Sequence, residues 1–317
     1  MARRWRLLAF LAVVSAIALQ LPVNRARSAQ LPSQDAATPG PSRETPSTLD
    51  TVTIEARRDR EIKRQIDKFV SGAVGTYFDE SLARWNEPIC PLVAGLRSSK
   101  GAEFIRARVS QVARDSHAPL GSGHCAPNLV VVITNDPDLL LEKWNKRERL
   151  FNTCNGLGPV KRFLHSRQPV RVFYNAKVTS TGGPGVGALA LAGVNVNGPV
   201  STDCGDGYST LDTWLHRGSV QELTSVIIIV DGRQTANINM GQLADYIAMV
   251  GLAQIRVQAD TGTAPSILHL FRQSDPQPLG LSLWDEAFLH SLYATDQSSV
   301  LEVVMIKDRM FKQIVGR

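Results

Sequence analysis

The stretch SVIIIVDGRQTANINMGQLADYIAMVGL, residues 225–252, places a continuous apolar run before an apolar helical pattern. The run Ser225–Asp231 has the composition of a central β-strand that is buried on both faces. The second part predicts a core helix over Leu243–Leu252, and Gly251 is expected to cap its C-terminal end. Three residues at helical spacing form its buried stripe: Leu243, Ile247 and Val250. A strand, a short loop and a buried helix are therefore expected here.

Outside this stretch, strands and helices alternate irregularly, which favours an α+β fold with a mixed sheet, several packed helices and a helical C-terminus. The predicted strands are TVTIEA at 51–56, Asn128–Thr134 and Val170–Val178. The predicted helices are Asp59–Trp85, Ala102–His117, a helix opened by Asp136 and Pro137, a helix capped by Ser282 with Asp285, and a last helix from Ser298 or Ser299 to near Val315.

The N-terminus predicts export. Three arginines precede the apolar run Leu7–Leu21, and small residues lead to Ala29, which is typical of a secretory signal over residues 1–29. An uncleaved anchor is the alternative. Residues 30–50 are rich in Pro, Ser and Thr and contain few large apolar residues, so a disordered tether is expected there. Residues 51–317 are then predicted to form one α+β domain, in the periplasm or cell envelope.

The net charge of the chain is carried mainly by its N-terminus. Five arginines and no acidic residue lie before position 30, so removing them from the formal net charge of +6 leaves +1. A nearly neutral exported chain has no electrostatic reason to bind nucleic acid. We therefore expect no nucleic-acid partner.

The four cysteines suit an oxidising compartment. They lie at Cys90, Cys125, Cys154 and Cys204, and no two form a C-x-x-C pair. Cys90 and Cys125 flank a predicted helix that can bring its ends together, which favours their pairing, and Cys154 with Cys204 follows by exclusion. A free, reactive thiol is the alternative.

Motifs for cofactors and metals are weak. GVGALA at 185–190 matches G-x-G-x-x-A but lies in a glycine-rich segment that predicts a loop rather than a nucleotide-binding helix. His117 and His124 lie near Cys125 and could share a metal, but a solvated loop beside a disulfide is the simpler interpretation and the one we favour. We predict no metal and no cofactor.

The segment TVTIEARR, beginning at Thr51, resembles the short box by which outer-membrane receptors contact the TonB protein. It follows the predicted tether, as such a box does. The series of membrane strands that a receptor needs does not follow it. The alternatives are a TonB-contacting peptide and an edge strand of the domain.

The helix LADYIAMVGL has the spacing of the zinc-protease motif H-E-x-x-H-x-x-G without its ligands. Ala244 and Ala248 stand where the two histidines would bind Zn²⁺, and Asp245 stands where the glutamate would activate water. Gln254 occupies the position of a third ligand. Alanine offers no lone pair, so the metalloprotease mechanism is excluded for this helix.

A wider resemblance covers residues 50–317. RWNEPICPLVAGL, CAPNLVVVIT, MGQLADYIAMVGLAQ and LHSLYATDQ resemble a family of exported alphaproteobacterial proteins with no assigned activity. The layout is also similar to more distant exported proteins that resemble degenerate zincins, the fold of zinc proteases. This resemblance implies export and architecture, and it transfers no catalytic residue.

Together these observations predict an exported envelope protein with a non-catalytic binding or structural role. They identify no partner, and an envelope protein is the candidate. The alternative is a hydrolase of unrecognised type that uses Asp245, Tyr246 or Asp231. The two hypotheses differ in what surrounds Ala244, Asp245 and Ala248: a polar cleft favours catalysis, and a packed core favours the non-catalytic role.

Overall fold

The computed structural model describes residues 48–74, 81–145, 151, 157–181, 213–256, 258–272 and 277–316, with the backbone alone for 48–53 and 145. Residues 48–317 form one compact unit. The fold is α+β, as predicted, with a mixed sheet and seven α-helices in the described residues.

A sheet of four strands forms the centre of the domain. The strands are β1 (Pro91–Ala94), β2 (Leu129–Thr134), β3 (Val170–Ser180) and β4 (Ser219–Asp231), in the order β1-β2-β4-β3. The strands β1, β2 and β4 are parallel, whereas β3 runs antiparallel to β4 at the edge. The predicted strands at 128–134, 170–178 and 225–231 are confirmed, and β4 begins six residues earlier than predicted.

The helices cover both faces of this sheet. They are α1 (Thr48–Ala73), α2 (Ser99–Asp115), α3 (Pro137–Asn145), α4 (Leu157–His165), α5 (Met240–Leu252), α6 (Leu283–Ala294) and α7 (Glu302–Val315). Side chains alternate between the faces along each strand: Ile228 enters the large core with α1, α2, α5, α6 and α7, while Ile227 and Ile229 pack with α3 and α4. The two apolar faces of β4 explain its continuous apolar run.

The core helix α5 confirms the predicted helix over Leu243–Leu252. Asn239 caps its start, since its side chain accepts a hydrogen bond from the N–H of Gly241, and Gln242 completes a capping box. The prediction that Gly251 caps the other end is wrong, because Gly251 lies inside the helix and Ala253 follows it as the cap. A Cβ on Gly251 would lie 3.1 Å from Leu129 Cδ1, so this glycine serves close packing of α5 on the sheet.

The N-terminal predictions need two corrections. The predicted strand TVTIEA at 51–56, which begins the TonB-like segment, is wrong, because residues 48–73 form the continuous helix α1. Its β-branched residues favour a strand locally, but helical periodicity continues through them. The helix also ends at Ala73 and not at Trp85. At this end, Arg256 N–H donates to Ala73 O and Asp260 N–H donates to Gly72 O.

The other helices agree closely with the predictions. Asp136 Oδ1 accepts from Leu139 N–H at the start of α3, and Ser282 and Asp285 form the predicted capping box of α6. The last helix ends at Val315 as predicted but starts at Glu302, because Ser299 pairs with His216 in an isolated bridge. The sequence reasoning missed α4 and β1.

Candidate functional site

The two alanines at the zinc-ligand positions of α5 lie in packed core. Ala244 and Ala248 are each 0% exposed, and both belong to the large apolar cluster. Gly251 packs against Leu129 and Ile228 of the sheet. The described surroundings of this helix face are therefore a close-packed interior, and a polar cleft is not found there.

Asp245 holds three parts of the domain together. Its Oδ1 accepts a hydrogen bond from Arg108 Nε of α2 at 2.5 Å, and its Oδ2 accepts one from Leu281 N–H at 3.0 Å. The residue is 6% exposed. Both carboxylate oxygens are thus engaged by α2 and by the segment that leads into α6, which is a structural arrangement.

Asp231 ends β4 and organises the turn that follows. Its Oδ1 accepts from Arg233 N–H and its Oδ2 from Gln234 Nε2, both at 2.9 Å. Burial acts to raise the pKa of Asp231, but these hydrogen bonds and the nearby Arg233 charge outweigh it and lower the pKa. A carboxylate held in this way is a poor proton acceptor near neutral pH.

Tyr246 follows Asp245 on α5 but has different surroundings. It contributes to a cavity to which neither Asp231 nor Asp245 contributes. Its ring meets the Phe271 ring edge to face at 4.8 Å, and burial raises the pKa of Tyr246 to about 12. The hydroxyl therefore stays protonated, and the three candidate catalytic residues do not converge on one site.

Cys90 and Cys125 form the predicted disulfide. Asn128 supports the bridge, because its side-chain oxygen accepts from Cys90 N–H at 2.7 Å. Since the Cys125 sulfur is bonded to Cys90, it cannot serve as a thiolate ligand beside His117 and His124. Within the described ranges, no group of three or more His, Cys, Asp or Glu side chains is arranged to hold a metal. Cys154, Cys204 and the GVGALA segment lie outside the described residues.

The feature with the clearest binding geometry is a cavity of about 630 Å³ along β3. Its described walls come from α4, from strand residues 170–174, from residues 81–83, from the C-terminal half of α5 and from residues 253–256. Ligand cavities of proteins typically measure about 300 to 1,000 Å³. The cavity therefore has the size of a binding site.

The strand edge that borders this cavity presents backbone hydrogen-bonding groups. Asp231 N–H donates to Pro169 O at 2.9 Å, so residues 169 and 231 are a hydrogen-bonded pair. Bonded and non-bonded pairs alternate along an antiparallel ladder. Val170, Val172 and Tyr174 therefore direct their N–H and C=O groups away from β4. Among the described strands, none pairs with this outer edge.

The charged groups of the cavity are all positive among its described lining residues: Arg162, Arg171 and Arg256. Arg171 is neutralised by Asp138, with 2.8 Å from Nη2 to Oδ1, and the hydrogen bond from Arg171 lowers the pKa of Asp138 although partial burial opposes it. Arg162 and Arg256 are exposed and form no ion pair within the described part of the chain. The cavity therefore offers two cations to a ligand.

Polar groups on the cavity wall are fixed in place. Tyr174 Oη donates to Val250 O at 2.8 Å and accepts from Ile255 N–H at 3.1 Å, which ties β3 to the end of α5. Burial raises the pKa of Tyr174. Ser81 Oγ accepts from Gln221 N–H, and Ser166 Oγ accepts from Gln168 N–H. The described lining contains no His, Cys, Asp or Glu that could act as a general base toward these hydroxyls.

A buried ion pair lies next to the wall of the cavity that residues 81–83 form. Arg84 Nη2 donates to Glu302 Oε1, and both side chains are almost completely buried. Glu302 Oε2 also accepts from Leu82 N–H at 3.0 Å, and Leu82 lines the cavity. Desolvation lowers the pKa of Arg84 and raises that of Glu302, although their mutual attraction opposes both shifts. The sequence contains no local signal for this pair, because the partners lie 218 residues apart.

No family model, curated protein or solved structure matches the chain. None of the helices in the described ranges combines the length and the apolar character needed to cross a membrane.

Proposed function

We propose that the protein is an exported, non-catalytic binding protein that holds an extended segment of an envelope protein against β3. The observation that carries the proposal is the 630 Å³ cavity along the outer edge of residues 170–174, an edge with which no other strand in the described residues pairs. Strand addition supplies affinity through main-chain hydrogen bonds and specificity through pockets for alternate side chains. Residues 170–174 provide outward main-chain groups, and the cavity beside them provides volume for side chains.

The strand edge supplies the main-chain part of this interaction. Val170, Val172 and Tyr174 offer outward N–H and C=O groups over a length of about 16 Å, at roughly 3.3 Å per residue. A bound segment of about five residues matches that length. Its side chains would point alternately toward α4 and toward the end of α5, where the cavity provides volume.

The non-catalytic part of the proposal is supported by the roles of the candidate residues. The carboxylate oxygens of Asp245 and Asp231 accept hydrogen bonds that hold the fold together. Tyr246, the remaining candidate, keeps its proton well above neutral pH. A hydrolase of unrecognised type needs a base near the cavity, and the described lining supplies none.

A degenerate zincin-like scaffold is proposed as the architecture. The strand β4 leads through residues 232–239 into α5, on which Ala244 and Ala248 replace the two imidazoles of the zinc-protease spacing. Both alanines now fill the core. On this hypothesis the positions of the metal ligands have become part of the packed core, and the outer edge of β3 has a binding role.

Export is supported by the sequence of residues 1–29 and by the Cys90–Cys125 bridge, which suits an oxidising compartment. N-terminal sequencing of protein recovered from cell fractions tests it. We expect a chain beginning near Gln30 outside the cytoplasm. An intact Met1 in the cytosolic fraction contradicts this part of the proposal.

The binding proposal is tested by panning random displayed decapeptides on the purified protein and measuring Kd of the selected peptides by fluorescence polarisation. Copies of each peptide that carry one backbone N-methyl group at successive positions then report main-chain pairing. We expect loss of binding at every second position, because alternate N–H groups of an added strand face β3. A uniform response, or a failure to select any peptide, contradicts strand addition.

A matched pair of variants places the site. Val172→Pro removes an outward N–H without removing a bond to β4, and we expect roughly tenfold weaker peptide binding. Val178→Pro is the control on the same strand outside the described cavity lining. Its partner Gln221 donates N–H to Ser81, so Val178 also lies in a non-bonded pair. Circular dichroism verifies that both variants fold, and equal binding by both contradicts the proposed location.

A further inference from the structure

We infer that the cavity along β3 selects segments with carboxylates on two adjacent residues, one bound by Arg162 and the other by Arg256. This inference rests on the proposed strand addition and names the chemistry of the bound segment.

The first step is the charge of the cavity. Its described lining contains three arginines and no acidic residue. Asp138 already pairs with Arg171, which is almost completely buried. Arg162 and Arg256 remain to receive negative charge from a ligand. Arginine presents paired N–H donors that match the two oxygens of a carboxylate.

The second step is the position of these two arginines on opposite faces of the sheet. Arg162 belongs to α4, whose Phe163 packs with Phe173 in the smaller cluster. Arg256 follows Ile255, which belongs to the large cluster on the other face. The Arg256 backbone is held there by its hydrogen bond to Ala73 O.

The third step is the alternation of a bound strand. Successive side chains of an added strand point to opposite faces of the sheet. A segment paired with Val172 therefore directs one side chain toward the face of Arg162 and the next toward the face of Arg256. Two neighbouring acidic residues satisfy both arginines.

Solvent limits how tightly each pair is held, because both arginines are exposed. Exposed ion pairs are weak and are screened by salt over about 8 Å at physiological ionic strength. Selectivity between acidic and neutral segments is therefore expected to be moderate and to decrease as salt rises. A cavity whose described charges are all positive also excludes segments that carry Lys or Arg.

The test uses three displayed libraries whose central pair is fixed as Glu-Asp, Gln-Asn or Lys-Lys, with all other positions random. Each library is panned on the unmodified protein, on Arg162→Gln and on Arg256→Gln. We expect the Glu-Asp library to dominate on the unmodified protein, and each substitution to weaken its peptides roughly two- to fivefold. Lys161→Gln is the control, since Lys161 is exposed on α4 beside Arg162 but does not line the cavity.

Charge reversal gives the more specific readout. Peptides selected from the Glu-Asp library are then changed to Lys at one central position at a time: Arg256→Glu is expected to bind one of these two variants more tightly than the parent peptide, and the other not. Both arginines are exposed, so the variants are expected to keep the thermal stability of the parent. Unchanged peptide preference in every arginine variant overturns the inference.

The outcomes separate this inference from the proposed function. Peptides that bind with the alternating N-methyl pattern but without acidic preference leave strand addition standing and contradict the carboxylate pair. Acidic peptides that bind without the alternating pattern contradict strand addition. If the acidic preference is lost equally in Lys161→Gln, the attraction is general surface charge, and the assignment to Arg162 is wrong.

Discussion

Arg108 Nε lies 2.5 Å from Asp245 Oδ1 and joins α2 to the core helix α5. Asp245 occupies the position at which the zinc-protease spacing places its general base. Its second oxygen accepts from Leu281 N–H, so the carboxylate links three segments of the chain. Asp245, the residue whose position most suggests catalysis, therefore has a structural role.

Replacing Asp245 by Ala is expected to destabilise the fold by about 1 to 3 kcal/mol, because Arg108 and the Leu281 N–H both lose their partner. Urea unfolding measures this. Glu103→Ala is the control, because Glu103 forms an exposed ion pair with Arg106 on the same helix α2. No measurable change is expected there. An Asp245→Ala protein as stable as its parent contradicts the structural role.

Asp231 predicts a specific dependence of stability on pH. Its folded-state pKa is lowered, so its stabilising contribution is present above the ordinary aspartate pKa of about 3.9 and is lost as pH falls through the folded-state value. Asp231→Asn should reduce the urea midpoint at pH 6, and the difference should shrink as the pH falls from 6 through the folded-state pKa. A constant difference across this range contradicts a titrating role.

Much of the central sheet could be predicted from the sequence, because its strands carry local signals. Ser225–Asp231 and Asn128–Thr134 are continuous apolar runs, and burial on both faces is what such runs indicate. The strand β1 was missed because Pro91–Ala94 is only four residues long. The prediction of a strand at TVTIEA was wrong because β-branched residues favour strands, whereas the helix α1 continues through them.

The cavity had no signal that sequence reasoning could use. Its described walls bring together residues near positions 82, 162, 172 and 255, and only the folded sheet edge places them side by side. The same holds for Arg84 and Glu302, whose contact depends on the approach of distant segments. Of the three predicted candidate residues, only Tyr246 lines the cavity. Its position on α5 makes it a candidate, and nothing in the sequence around it indicates a cavity.

Gly251→Ala is expected to destabilise the protein by about 1 to 3 kcal/mol, because the added methyl group would lie 3.1 Å from Leu129 Cδ1 and 3.5 Å from Ile228 Cδ1. The matched control is Gly158→Ala near the start of α4, where Gly158 is exposed and the added methyl group would lie 3.4 Å from Arg162 Nη1. That change should raise the free energy of unfolding by about 0.5 to 1 kcal/mol. Equal effects at both sites contradict tight packing of α5 on the sheet.

Removing the Cys90–Cys125 bridge by Cys90→Ser with Cys125→Ser should cost about 3 to 4 kcal/mol, since the bridge closes a separation of 35 residues in the unfolded chain. Urea unfolding of this variant, compared with the oxidised parent, measures the cost. Non-reducing peptide mapping of the parent also tests the predicted pairing of Cys154 with Cys204. Crossed pairs or free thiols there contradict it.

Ala244→His with Ala248→His introduces the two imidazoles of the zinc-protease spacing and tests whether this part of the core can hold a metal. Both positions are 0% exposed, so two polar rings would be forced into a close-packed core. Overpacking and the burial of unpaired polar groups should destabilise the fold by several kcal/mol. Thermal unfolding and zinc titration calorimetry are the measurements, and no zinc affinity is expected.

The control for this variant is Glu103→His with Ala107→His, which places the same i, i+4 pair on exposed positions of α2. It should fold normally and bind Zn²⁺ weakly, since two imidazoles on one helical face can share a metal. The comparison separates the chemistry of the histidine pair from its surroundings. If the core pair instead bound zinc more tightly than the surface pair in a stable protein, α5 would still border a site that can open, and the non-catalytic proposal would be wrong.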